Sequence, residues 1–217
     1  MKSFGLKGAS VIVLFFVSLT CHSQETWYGE IAAYAGGGKN DIFRNNELMG
    51  APSYTGNGFF TGGLSVRRII KDWFSVEGGI NFSQQYYTMH SAPTPEVITS
   101  SGHFGMMSLP VKARFDFLKY AFAEAGIVPG LQTGRDGSFD LSGLGFTAGV
   151  GLKYRFKSDI IITFRAYETQ YDILSFSNDD HPYILSNSGF TVGVGYRFIR
   201  LGKCHCPEAN VPRRKFF

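Results

Sequence analysis

The chain has 217 residues, a formal net charge of +4 and only 18% charged residues, alongside 27 Gly, 21 Phe and 11 Tyr; that length supports one domain and little more. The basicity is terminal: Lys2 and Lys7 lie at one end, Arg200, Lys203, Arg213, Arg214 and Lys215 against Glu208 give +4 at the other, and residues 24–199 carry −2, which excludes a nucleic-acid-binding body. The 3 Cys exclude a disulfide framework, because Cys21 falls in the leader and Cys204 and Cys206 sit too close for an unstrained bridge.

In chain order, residues 1–23 read as a cleaved signal peptide. Lys2 and Lys7 form its basic start, Val11 to Leu19 an apolar core too short to span a bilayer, and Cys21-His22-Ser23 places small residues before a cut at Gln24. A retained anchor helix and a lipoprotein cut before Cys21 are the alternatives. The short apolar core argues against the first, and Ser18-Leu19-Thr20, a poor lipobox, against the second. No later apolar run reaches helical spanning length, so residence in a membrane requires a barrel.

Eight runs of alternating character follow, at 26–37, 58–70, 73–88, 103–117, 120–133, 143–156, 160–175 and 188–199. A strand sends successive side chains to opposite faces, so each run has one greasy face and one face of small, polar and charged residues. Phe74, Val76, Ile80 and Phe82 form one such apolar face, and Phe190, Val192, Val194, Tyr196 and Phe198 another. Phe146-Thr147-Ala148-Gly149-Val150-Gly151 and Phe190-Thr191-Val192-Gly193-Val194-Gly195 are near-copies on runs of the same direction. Their spacing is not a constant period, which excludes a solenoid.

Connections alternate in length. Lys71-Asp72, Leu118-Lys119 and Lys157-Ser158-Asp159 are tight polar turns, whereas 38–57, 89–102, 134–142 and 176–187 are longer and turn-rich. Short turns on one side and long loops on the other are the pattern of an outer-membrane barrel. The fold expected is therefore all-β: an eight-stranded antiparallel up-and-down transmembrane β-barrel over 24–199, following the signal peptide and preceding a basic periplasmic tail at 200–217. An even strand count puts both termini on the periplasmic side. A soluble exported sandwich, with the apolar face buried rather than lipid-exposed, is the rival fold.

Charges recur on the polar face. Glu30, Glu77 and Glu124 come early in rising runs; Arg67, Lys112, Arg114, Lys153, Arg155 and Arg197 come late in falling ones. On antiparallel neighbours these positions share one depth. The interior of an eight-stranded barrel is just wide enough for side chains to fill. Since buried charge is costly unless paired, a charge-paired plug made of these residues, joined by Arg165, is expected at the short-turn end. A narrow ion or solute channel is the alternative.

Other motifs are weaker. His90, His103 and His181 sit at loops or loop edges, and His181 with Ser177, Asp179 and Asp180 is the one grouping from which a surface hydrolase could be imagined; nothing in the spacing brings nucleophile, base and orienting group together. Cys204-His205-Cys206-Pro207 offers soft ligands but lacks a fourth and a supporting fold, so no metal is expected there. Gly36-Gly37-Gly38-Lys39 lacks the spacing and the helix of a phosphate loop.

The chain resembles the small outer-membrane β-barrel proteins of Bacteroidota, the broad PorT-like or "outer membrane protein beta-barrel domain" family. The resemblance rests on the signal ending Cys21-His22-Ser23-Gln24, Phe74-Ser75-Val76-Glu77-Gly78-Gly79, the segment Ser108-Leu109-Pro110-Val111-Lys112-Ala113-Arg114-Phe115, Ala123-Glu124-Ala125-Gly126 and Gly193-Val194-Gly195-Tyr196-Arg197-Phe198. It covers nearly all of the mature chain and specifies architecture without a common catalytic set. It implies a non-enzymatic outer-membrane protein without cofactor, whose partners are outer-membrane lipid, the barrel-assembly machinery and an envelope protein at the outer loops or the C-terminal tail. One departure is that 19 residues follow Phe198, which places the assembly signal either internally at Tyr196-Arg197-Phe198 or at Phe216-Phe217.

Overall fold

β-branched and aromatic residues alternating with Gly, Ser and Thr give ribbons that pair along their full length. The computed structural model describes residues 27–44, 53–91, 98–133, 141–175 and 183–200. They form nine strands: β1 Trp27–Arg44, β2 Ser53–Lys71, β3 Phe74–His90, β4 Thr99–Ser108, β5 Val111–Asp116, β6 Ala121–Thr133, β7 Gly143–Arg155, β8 Ile160–Ser175 and β9 Tyr183–Arg200. The expected signal peptide and nearly all of the basic tail lie outside the described residues. The chain divides into a unit Tyr28–Phe198, which contains the barrel, and a second unit, Met1–Trp27 with Ile199–Phe217, of which only the strand-end residues Trp27, Ile199 and Arg200 are described.

Neighbouring strands pair antiparallel around the wall, with β4 and β5 end to end between β3 and β6, and β9 neighbours β1, so the sheet closes into a ring. The closing seam is narrow. A Cβ on Gly36 would strike the Phe190 carbonyl, so only glycine permits β1 to come this close to β9.

The expected fourth strand, 103–117, is cut in two, which raises the strand number from eight to nine. Pro110 has no N–H to give to a ladder. The register nevertheless runs straight through the interruption: Ser108 faces Asn81 and Gly130, and Val111 faces Gly78 and Ile127. Leu109 N donates to the Pro129 carbonyl at 3.0 Å, and the Pro110 carbonyl accepts from Gly79 N at 3.1 Å, so neither neighbour loses its place.

Strands also run further than expected at the long-loop end. β1, β2, β3 and β9 span 18, 19, 17 and 18 residues, beyond the roughly 9–11 that a tilted span needs. Segments read as loop, such as 38–44 and 183–187, are strand. Their Gly, Asn and Ser content hides the alternation, while pairing to neighbours enforces it. Bulges absorb the misfit: Gly58 adopts φ +105 beside a register shift in β2, and the Asn40 side chain accepts from its N–H at 2.6 Å.

The wall is apolar outside. Phe82 and Val194 are 57% and 55% exposed, and Phe60, Leu64, Val150, Leu152 and Phe190 share that face. No second sheet covers them among the described residues, and an apolar surface this continuous is a lipid-facing one. At the short-turn end, rings gather where a membrane–water boundary would lie: Trp73 stacks on Phe115 at 6.2 Å, Tyr120 on Tyr154 at 6.2 Å, and Tyr154 meets Phe156 at 4.9 Å.

Substituting Val150→Arg, on the lipid face, is expected to lower the stability of the protein refolded in vesicles by about 2–4 kcal/mol, read from urea unfolding. A soluble sandwich would instead refold without lipid or detergent and show no heat-modifiable gel migration.

Candidate functional site

Register brings the charged residues together before any side chain reaches. Glu30 pairs across from Arg67, Arg67 from Glu77, Glu77 from Lys112, and Arg114 from Glu124. Each lies on the inward face of its strand because its neighbours in sequence are the apolar residues that must face outward.

Two charge layers result. In the upper one, Arg165 on β8 reaches across the lumen and holds both oxygens of Glu77 on β3, at 2.8 and 3.1 Å, the two-pronged geometry that suits guanidinium and carboxylate. Lys112 Nζ sits between Glu124 at 2.7 Å and Glu77 at 3.3 Å, and Arg165 stands 3.6 Å from Glu124. All four side chains are buried, and two cations meet two carboxylates.

In the lower layer, nearer the short turns, Arg67 pairs with Glu30. Asp116 accepts from Arg114 Nε at 3.2 Å and from Lys153 Nζ at 2.8 Å. Arg114 is completely buried, its guanidinium 3.3 Å above the Phe122 ring. Arg197 lies within electrostatic reach of Glu30, Arg67, Arg155 and Asp159. One residue departs from expectation: Arg155, placed by alternation in the network, is exposed. It stands on the last residue of β7, where the wall ends and water solvates the guanidinium.

Above the charges, a cavity of about 50 Å³ is walled by Tyr34, Thr147, Thr169 and Tyr171 and floored by Lys112, Glu124 and Arg165. It is polar and roomy enough for ordered water, and Glu124, one of its lining residues, has an oxygen, Oε2, unpartnered by protein. Hydroxyls bond along the wall, Thr169 to Thr147 at 2.8 Å and Thr61 to Asn81 at 2.8 Å.

The long-loop end is different and was not legible in the sequence. There Ile42, Tyr87, Phe104, Met106, Leu141 and Leu185 form a buried apolar cluster inside the barrel, with Tyr54 and Met89 packed on it. Tyr54 sets its ring edge-on to Tyr87 and Tyr183, at 5.8 and 5.3 Å. Asn40 donates to Gln85 at 3.2 Å just beneath. Most of these residues fall in or beside segments that read as loops, so their inward orientation has no periodic signature. Asp172, also buried, points inward at a bulge where its φ is +62; an even–odd reading of β8 assigns it to the wrong face.

The weaker motifs are not assembled. His90 Nδ1 lies 3.4 Å from Thr99 Oγ1, and His103 lies against the Tyr86 ring. His181, Ser177, Asp179 and Asp180, and Cys204 to Pro207, lie outside the described residues. Among the described residues no three His, Cys, Asp or Glu side chains could share a metal ion.

A family model described as "Outer membrane protein beta-barrel domain" matches residues 9–198. No curated protein sequence matches the chain. Among solved structures, the outer membrane protein OprG from Pseudomonas aeruginosa is similar over 80% of this chain and 96% of its own, at 10% identity and a TM-score of 0.53. AlkL, an outer membrane protein solved by solid-state NMR in DMPC bilayers, is similar over 82% and 93%, at 10% identity and a TM-score of 0.50. At such identities the likeness is one of fold.

Removing one partner from a buried ion network leaves the rest uncompensated, so Glu77→Gln is expected to cost about 3–5 kcal/mol of folding stability. Arg155→Gln, at an exposed position, is expected to change it by no more than about 0.5 kcal/mol. Urea unfolding of both variants in the same lipid checks the contrast.

Proposed function

The chain belongs to the outer membrane protein beta-barrel domain family, and on that premise we propose that it is a non-enzymatic barrel whose lumen is shut by its own side chains, with its work done at its two ends. It is an outer-membrane β-barrel protein. The observation that carries the proposal is the stack inside the wall: a layered set of ion pairs below, a small polar cavity, and an apolar cluster above. An ion would have to break the Glu77–Arg165 and Glu124–Lys112 pairs and then cross a ring of Leu, Phe and Met, and both steps are costly.

Anchoring is the role of the lipid-facing wall. The long loops and the basic C-terminal tail are then the surfaces through which it acts, on an envelope protein partner in a structural or accessory capacity. Insertion by the barrel-assembly machinery from the periplasm fits short turns and both termini on that side. The Ser108–Phe115 and Gly193–Phe198 stretches favour kinship with the PorT-like barrels of Bacteroidota.

In planar bilayers the protein is expected to give no reproducible conductance steps. Steps that vanish on Glu77→Gln or Arg165→Gln would make the lumen a channel instead. A turnover abolished by His181→Ala would make the protein an enzyme.

A further inference from the structure

The two charge layers are not equally balanced. Lys112 and Arg165 match Glu77 and Glu124 in the upper layer. In the lower layer Arg67, Arg114, Lys153 and Arg197 outnumber Glu30 and Asp116, while Glu77, which also feels Arg67 and Arg114, is already held by Lys112 and Arg165. Beside Arg197, Asp159 and the exposed Arg155 add one charge of each sign, so these eight residues keep two positive charges in excess.

The hydrogen-bond inventory points to the same place. Arg114 spends Nε on Asp116 and leaves Nη1 and Nη2 without an acceptor; Arg67 spends Nη2 on Glu30 and leaves Nε and Nη1. Arg197 Nε and the Ser75 hydroxyl are likewise buried and unpartnered. Ser75 is the direct cross-strand partner of Arg114, and Arg67 is near enough to repel the Arg114 guanidinium. Arg114, Arg67 and Ser75 are 0%, 2% and 1% exposed. Donors left over on three adjacent strands, β2, β3 and β5, together with surplus positive charge, are the complement of one absent acceptor. Protein interiors rarely leave such groups unmet, and the free Nη1–Nη2 edge of Arg114, the two remaining Arg67 donors and a hydroxyl suit a small anion.

We propose that the lower lumen is a binding site for a small inorganic anion, held by Arg67, Arg114 and Ser75 and entered from the short-turn end past Arg197. The anion completes the counter-charge of the layer and fixes the side chains that shut the barrel. Phe122, whose ring centroid lies 3.3 Å from Arg114 Cζ, covers one side of the guanidinium. The site rests on the closed-lumen reading above: in an open channel the same groups would be met by bulk water.

The test uses the full mature protein refolded in neutral phosphocholine vesicles, in gluconate at fixed ionic strength, titrated separately with chloride, sulfate and inorganic phosphate. A saturable rise of the urea midpoint is expected with at least one of them, and the arm that responds identifies halide or oxyanion. Arg114→Gln should weaken the response by roughly tenfold or more, the worth of charge-assisted hydrogen bonds, while keeping heat-modifiable migration. Ser75→Ala, a milder change, should weaken it by a few-fold and serves if Arg114→Gln does not fold. Arg155→Gln should leave the saturated midpoint in place. Equal midpoints in all four salts would overturn the site, as would an Arg155→Gln effect as large as that of Arg114→Gln. Bilayer recordings on the same preparation separate the two failures: silence with no anion response defeats the site alone, whereas conductance defeats the closed lumen.

Discussion

Charge inside a closed cylinder is the constraint on which the rest of the structure depends. Once the apolar faces point to lipid, every ionic residue on the other face must fit within a bore just wide enough for side chains. Carboxylates and guanidinium groups there cannot reach bulk water, so each must find a partner across the lumen or across a strand pair. The Glu77–Arg165 pair spans the bore and joins β3 to β8, strands that are not neighbours in the ring. Hydrogen-bond ladders close the wall; this pair ties opposite sides of it.

The interruption at Leu109–Pro110 shows how much local irregularity that arrangement tolerates. Proline costs a donor, yet the ladders on both sides resume at the same register. Had the break shifted β5 by one residue, Lys112 and Arg114 would face lipid and Val111 and Phe115 the lumen. Conserving register across Pro110 is therefore what keeps both cations in the interior. The bulge at Asp172 does the opposite, turning an extra side chain inward where the charge layers have already ended.

The lumen also changes character along its axis. Ion pairs occupy the short-turn half, threonine and tyrosine hydroxyls the middle, and Phe104, Met106, Leu141 and Leu185 the long-loop half. The strands are longer there than a tilted span needs, and the apolar filling excludes water from the lumen at that end. The closure at the long-loop end is thus hydrophobic, and at the short-turn end electrostatic.

Period-two alternation, the Gly-rich polar faces and the short–long rhythm of connections determined the architecture from the sequence alone, because a strand's facing rule is local and needs no partner. The charged residues of the lumen could be named for the same reason, Arg165 included. Which of them meet was decided only by the tertiary structure, since a bond spanning 88 residues of chain follows from ring closure and shear rather than from spacing. The same holds for Arg155, which alternation placed inside and the end of β7 put in water, and for the part of the apolar cluster, Ile42, Leu141, Tyr183 and Leu185, that lies in segments read as loops. Local pattern fixes which way a side chain points; closing the cylinder fixes what it finds there.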